Sequence, residues 1–141
     1  MVYARINLQK TNYQLYPLSK RLYPPHDIKA LNEIYTKYCR YKKFKSVMPI
    51  FDSEFNESHV HGYYDFNGNL IAFSLIKVYD NENAEAKQFA WNYEDPKLEL
   101  GIKSLKHECA FYKVSGFKYL YLGGADKYKS KIDGYEILGP I

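Results

Sequence analysis

Two stretches of this 141-residue chain hold side chains whose types and spacing bear on chemistry. His59 and His61, in the run HVHG, would share one face of a strand, an arrangement that can hold a divalent metal when a third ligand closes the set. No cysteine lies near them in sequence and no clear third ligand follows, so no metal is expected. Tyr38 to Lys45, YCRYKKFK, interleaves rings with Arg40, Lys42, Lys43 and Lys45. Such a run can stack bases and neutralise phosphates, which makes tRNA a candidate partner. The same cations also suit the last turn of a helix, facing the negative end of its macrodipole.

Holding such groups in place takes a folded core, and the composition supplies one. Hydrophobic residues make up 46% of the chain and aromatics 18%, with 16 tyrosines that can pack a ring and keep a hydroxyl for water or a partner. One domain over residues 1–141 is expected, because half this length would bury too little. Twenty Lys and Arg against 16 Asp and Glu leave a net charge of +4, a mild preference for phosphates, coenzymes or RNA. Cys39 and Cys109 are too few and too far apart for a disulfide framework. The N-terminus lacks the apolar core of a signal peptide, and no run approaches the roughly 20 apolar residues of a membrane span. A cytoplasmic monomer or homodimer with no membrane partner is therefore expected.

The elements follow from periodicity. Val2 to Leu8 reads as a strand, followed by a polar loop. Pro24-Pro25 opens a helix with Asp27 near its first turn, and Ile28, Leu31, Ile34, Tyr35 and Tyr38 give it one apolar face to about Tyr41. Met48 to Ser58 reads as loop with a short turn. His61 to Phe66 and Leu70 to Tyr79 flank Asn67-Gly68-Asn69 as a hairpin. The near-continuous apolar run of its second arm argues for a central strand covered on both faces. Ala84 to Tyr93 is a third strand whose pattern changes phase near Lys87-Gln88, as a β-bulge would make it do. Asp95-Pro96 supplies a cap and first-turn proline, and Leu98, Ile102, Leu105, Cys109 and Tyr112 form a helical stripe that ends before Gly116. Lys118 to Leu122 is a strand, parallel to Ala84–Tyr93 because a helix joins them. A last strand near Tyr135 to Leu138 closes an edge. The fold class is α/β with a mixed sheet: an antiparallel meander plus one βαβ unit.

Several short motifs recur along this framework in a fixed order. The Asn67-Gly68 hairpin leads into a strand running to Asp80; Tyr93 to Pro96 ends the next strand; Leu100-Gly101 opens the helix; Tyr121-Leu122-Gly123 ends the following strand; and Tyr128-Lys129 comes after it. In that order they resemble the C-terminal part of the arginyl- and leucyl-tRNA-protein transferases, a branch of the GNAT superfamily, over about the last 80 residues. Glu99 stands where that family has a serine.

The resemblance implies a GNAT-like fold in which the two parallel strands splay apart. Backbone N–H groups of Trp91, Asn92 and Tyr93 would then hold the oxyanion that develops on a donor carbonyl. The helix start, Leu100, Gly101, Ile102 and Lys103, would cradle a donor phosphate provided Glu99 turns to solvent. It further implies Tyr128 as the acid for the leaving group and Lys129 as a contact to a donor phosphate or 3′ end, with Asp80, Asp126 or His61 as candidate bases. The expected activity is N-acyl transfer from acyl-CoA or aminoacyl-tRNA to an amine, a peptide N-terminus or small amine, with no permanently bound cofactor. The alternative is a non-catalytic binding module of the same fold for RNA or protein.

Overall fold

A computed structural model describes residues 2–43, 50, 52–94, 98–122 and 127–140. The sheet is organised around the tight turn after β3 (His59–Tyr64). The Asp65 carboxylate accepts hydrogen bonds from the amides of Asn67 and Asn69, each at 2.9 Å, and Gly68 adopts φ 83°, a conformation other residues resist. The turn folds β4 (Leu70–Val78) back on β3, and a second polar turn brings β5 (Asn83–Trp91) back on β4. Ile71 to Ile76 are all buried, as expected for a strand covered on both faces.

The phase change read from the sequence is a bulge. Leu75 faces Gln88 and the next residue, Ile76, faces Ala86, so Lys87 has no opposite number. Ala84 and Ala86 therefore share a face with Phe89 and Trp91, which pack under the same helix.

Beyond β5 the chain forms α3 (Leu100–Val114) and returns as β6 (Tyr119–Tyr121), parallel to β5. The N-terminal strand β1 (Val2–Asn7) then pairs antiparallel with both β6 and the C-terminal β7 (Tyr135–Pro140), an arrangement the sequence does not disclose. A short strand in a stretch to which the sequence assigned no element, β2 (Ser19–Leu22), pairs with β3 at the other edge. The seven strands lie in the order β2-β3-β4-β5-β6-β1-β7.

Two helical layers cover the sheet. The stripe Leu105, Cys109 and Tyr112 seals α3 onto Ile76, Ala84, Leu120, Ala4 and Ile6. On the opposite face lies α1 (Ile28–Lys42), started by Asp27, whose side chain accepts from the Ala30 amide at 3.1 Å. Its Leu31 and Ile34 pack on Val60, Phe73, Leu75 and Ala90. The stretch read as loop before β3 contains α2 (Asp52–Glu57), held by the buried Phe55. Asp95-Pro96, expected to cap α3, lie outside the described residues; the helix begins after Glu99, which has φ 51° and no side-chain cap.

Candidate active site

β5 and β6 are partners only from Asn83–Tyr119 to Glu85–Tyr121. There they part. The Leu122 amide bonds to the Ala4 carbonyl at 2.9 Å, so the chain leaving β6 stays with β1, whereas β5 runs on to Trp91 with no neighbour on that side among the described residues. The Asn92 amide donates to the Ile71 carbonyl at 3.0 Å. Backbone groups alternate along a strand, so the N–H groups of Trp91 and Phe89 point the other way, into the notch. The Phe89 carbonyl on that side takes a side-chain hydrogen bond from Gln88 at 2.8 Å in place of a strand partner. Of the three residues expected to polarise a donor carbonyl, Trp91 thus offers its amide, Asn92 has spent its own on β4, and Tyr93 leaves the strand at φ 58°.

The start of α3 faces the same opening. Leu98 and Leu100 are buried with Trp91, which fixes the helix end beside the end of β5. The first helical bond is from the Lys103 amide to the Glu99 carbonyl at 3.2 Å, leaving the amides of Leu100, Gly101 and Ile102 ahead of it. A Cβ built on Gly101 meets no atom within 4 Å, so there is room beside this residue. The Glu99 side chain is exposed and does not fill it.

Deeper under α3 lies a group the stripe of apolar residues concealed. Glu108 is only 3% exposed and hydrogen-bonds with Ser74 of β4. The Ser74 hydroxyl is in turn 3.1 Å from that of the fully buried Tyr63. Burial lifts the Glu108 carboxyl to about 7, against the Ser74 hydrogen bond and the charge of Lys129, which both favour ionisation. Glu108 thus faces β4 from α3, with a lysine that follows β6 within electrostatic reach. Its spacing was legible: position 108 falls three residues after Leu105 and four before Tyr112, on the inward face, where a charged residue is unusual.

The other expected groups divide. Lys129 comes within electrostatic reach of Glu108. Asp126 and the side chain of Tyr128 lie outside the described residues, as does Lys45. Asp80 closes the β4–β5 turn, accepting from the Glu82 and Asn83 amides at 2.8 Å each. The Asn83 side chain, followed by the Glu82 amide, holds its carboxyl below the usual range. Eight residues of strand separate Asn83 from Trp91, about 26 Å, so Asp80 stands at the wrong end of β5 to act as base. His61 is fully buried and pushed down to about 3 by burial first, then by the charges of His107, Arg21 and His59. It is a neutral core histidine. Among the described residues no group of three or more potential ligands could hold a metal.

The basic segment lies beside the notch. Tyr41 stacks on Tyr93 with ring centroids 3.8 Å apart, Tyr93 lies 4.3 Å from Trp91, and the Lys42 ammonium is 5.7 Å from the Tyr93 ring. Lys37 of the same helix pairs with Glu94 at 3.1 Å.

No family profile and no curated protein matches the chain by sequence. Its architecture is shared nonetheless. L-PGS from Bacillus licheniformis superposes at TM-score 0.70 and 13% identity over 88% of this chain and 46% of that one. A putative GNAT-family acetyltransferase from Novosphingobium aromaticivorans gives 0.66 at 14% identity over 96% and 58%. A GNAT-family acetyltransferase from Elizabethkingia anophelis with acetyl-CoA bound gives 0.56 at 16% identity over 80% and 68%. This chain has the GNAT fold. It spans just under half the length of the L-PGS chain, 46%. A closer tie of this GNAT-fold chain to the arginyl- and leucyl-tRNA-protein transferases rests on the sequence motifs alone. No helix among the described residues is long and apolar enough to cross a membrane.

Proposed function

We propose that this GNAT-fold chain is an N-acyltransferase moving an acyl or aminoacyl group from acyl-CoA or aminoacyl-tRNA to an amine. The observation that carries the reading is the parting of β5 from β6 after Glu85 and Tyr121, beside the first amides of α3. The Trp91 amide is aimed where a donor carbonyl would gain negative charge. The amides of Leu100, Gly101 and Ile102, with Lys103, suit a donor phosphate. The Elizabethkingia relative of the same fold holds acetyl-CoA, which favours that donor class.

Glu108 replaces Asp80 as the base in this scheme. A carboxyl balanced near neutrality can take the proton an attacking amine must lose. Tyr128 supplies a proton to the leaving group, Lys129 steadies the charge, and solvent restores both acids between turnovers. Thermal unfolding with acetyl-CoA, longer acyl-CoAs and charged tRNA is the first test. A donor at about 100 times its Kd stabilises the protein by roughly 2.7 kcal/mol. Tyr128→Phe should then slow transfer about 100-fold with the melting temperature unchanged. Absence of protection by every donor would end the proposal.

A second reading is a binding module for RNA, favoured by the stacked Trp91, Tyr93 and Tyr41 beside Lys42. It requires RNA binding with a steep salt dependence, lost when Lys42, Lys43 and Lys45 are neutralised, and no transfer product.

A further inference from the structure

A second polar cluster lies two strands from the notch, at the β2 edge. Arg21 of β2 sits opposite His61 of β3, so both side chains emerge on the face that α3 covers. The Tyr112 hydroxyl is 2.9 Å from His61 Nε2 and 2.9 Å from His59 Nδ1, and Phe111 closes over His61 with ring centroids 4.7 Å apart.

What the cluster lacks is an acceptor of negative charge. No carboxylate pairs with Arg21 among the described residues. Its guanidinium lies 4.7 Å over the Tyr23 ring, and its Nε is buried without a hydrogen bond. His61 Nδ1 is likewise buried and unmet, as is Nε2 of His26, which also feels the charge of Arg21. The described residues hold four such atoms: two, on Arg21 and His61, belong to this cluster, and a third, on His26 beside Phe55, lies within electrostatic reach of Arg21. The electrostatics agree: His59 is held down by burial and then by Arg21, and His61 by burial and then by His107, Arg21 and His59. Arg21 is the positive charge that bears on both rings, and His107 of α3 is itself lowered to about 4 by burial. Arg21 thus brings a positive charge to the cluster with no paired carboxylate among the described residues.

We propose that Arg21, His59 and His61 form a binding site for a phosphate group, separate from the acyl-transfer site. The tautomers fit. Tyr112 has one proton, and if it donates to His61 Nε2, then His61 Nδ1 carries a hydrogen with no acceptor among the described residues. His59 Nδ1–H can donate to the Tyr112 oxygen, leaving Nε2–H of a protonated His59 for the ligand. Arg21, His61 and His59 then present donors from two adjacent strands, a match for the three terminal oxygens of a phosphomonoester.

The test follows the ring carbons of His59 and His61 by NMR while inorganic phosphate is added to the intact protein in a buffer without oxyanions. Expected is a saturable shift of both rings with a rise in the His59 pKa, and a loss of affinity of tenfold or more in Arg21→Gln. A His59→Asn variant, which keeps Arg21, should bind more weakly than wild type while its His61 resonance still shifts, which separates ligand contact from misfolding. Vesicles of phosphatidylcholine with and without phosphatidic acid form the second arm. Displacement of phosphate by the anionic vesicles assigns the site to a lipid phosphate, and displacement by a soluble phosphomonoester alone assigns it to a free ligand. The proposal is overturned if phosphate produces no saturable shift, if chloride at equal ionic strength produces the same one, or if Arg21→Gln binds as wild type does.

Discussion

Glu108 should announce itself in stability before any substrate is known. Its carboxyl is raised from 4.5 to about 7 in the folded chain, so the folded state holds a proton that the unfolded state has already released. Its contribution is then fully present below about pH 4.5 and is lost as pH rises through 7. By pH 8 the loss is on the order of 3 kcal/mol. Glu108→Gln removes the titration, and chemical unfolding at pH 5 and pH 8 should show the variant gaining on wild type at the higher pH. An unchanged difference between the two would mean the carboxyl titrates normally. Gly101 makes the complementary case. No atom stands where its Cβ would go, so Gly101→Ala should stabilise the helix by about 0.5–1 kcal/mol. If a donor phosphate belongs over those amides, the same substitution should weaken acyl-CoA binding. Calorimetry beside thermal unfolding reads both signs, and a variant more stable and equally tight would move the phosphate elsewhere.

Among the elements, β5 decides the site, and its geometry depends on one extra residue. Deleting Lys87 would remove the bulge and leave Ala86, Phe89 and Trp91 in simple alternation on the α3 face, with Gln88 and Ala90 still toward α1. The deletion should keep a cooperative thermal transition and donor binding, as should Lys87→Ala, and loss of either in the deletion alone would show that the bend made by the bulge is itself needed. This bulge was visible in the sequence because small residues and aromatics changed parity there. So were the βαβ crossover, the Asn67-Gly68 turn and both long helices, since each depends on local spacing. β2 escaped because Ser-Lys-Arg-Leu has no alternation of its own and becomes a strand only against β3. Glu108 escaped because a helix read for its apolar stripe conceals a polar residue on the same face. The central place of β1 escaped because its partners lie more than a hundred residues away.

Over the whole molecule, buried histidines set the response to acid. His61 and His107 are lowered to about 3 and about 4 by burial, so both stay neutral when folded at pH values where the unfolded chain takes up two protons. Glu108 works in the opposite sense with one. Two against one leaves stability falling by about 2 kcal/mol between pH 7 and pH 5. Urea unfolding at those two values measures the fall, and a rise would mean that one of the imidazoles is charged in the native state. The sheet also binds the two ends of the chain together: the Arg5 side chain reaches Glu136 at 3.0 Å and the Asn7 amide donates to the Gly134 carbonyl at 2.8 Å.

During synthesis this arrangement imposes an order. Of these seven strands β1 is made first and has no companion until Tyr119–Tyr121 emerges, and its second, Tyr135–Pro140, follows later still. The half of the domain from β2 to β5 can assemble meanwhile from neighbouring segments. The rim that holds the notch open is thus the last part to be completed.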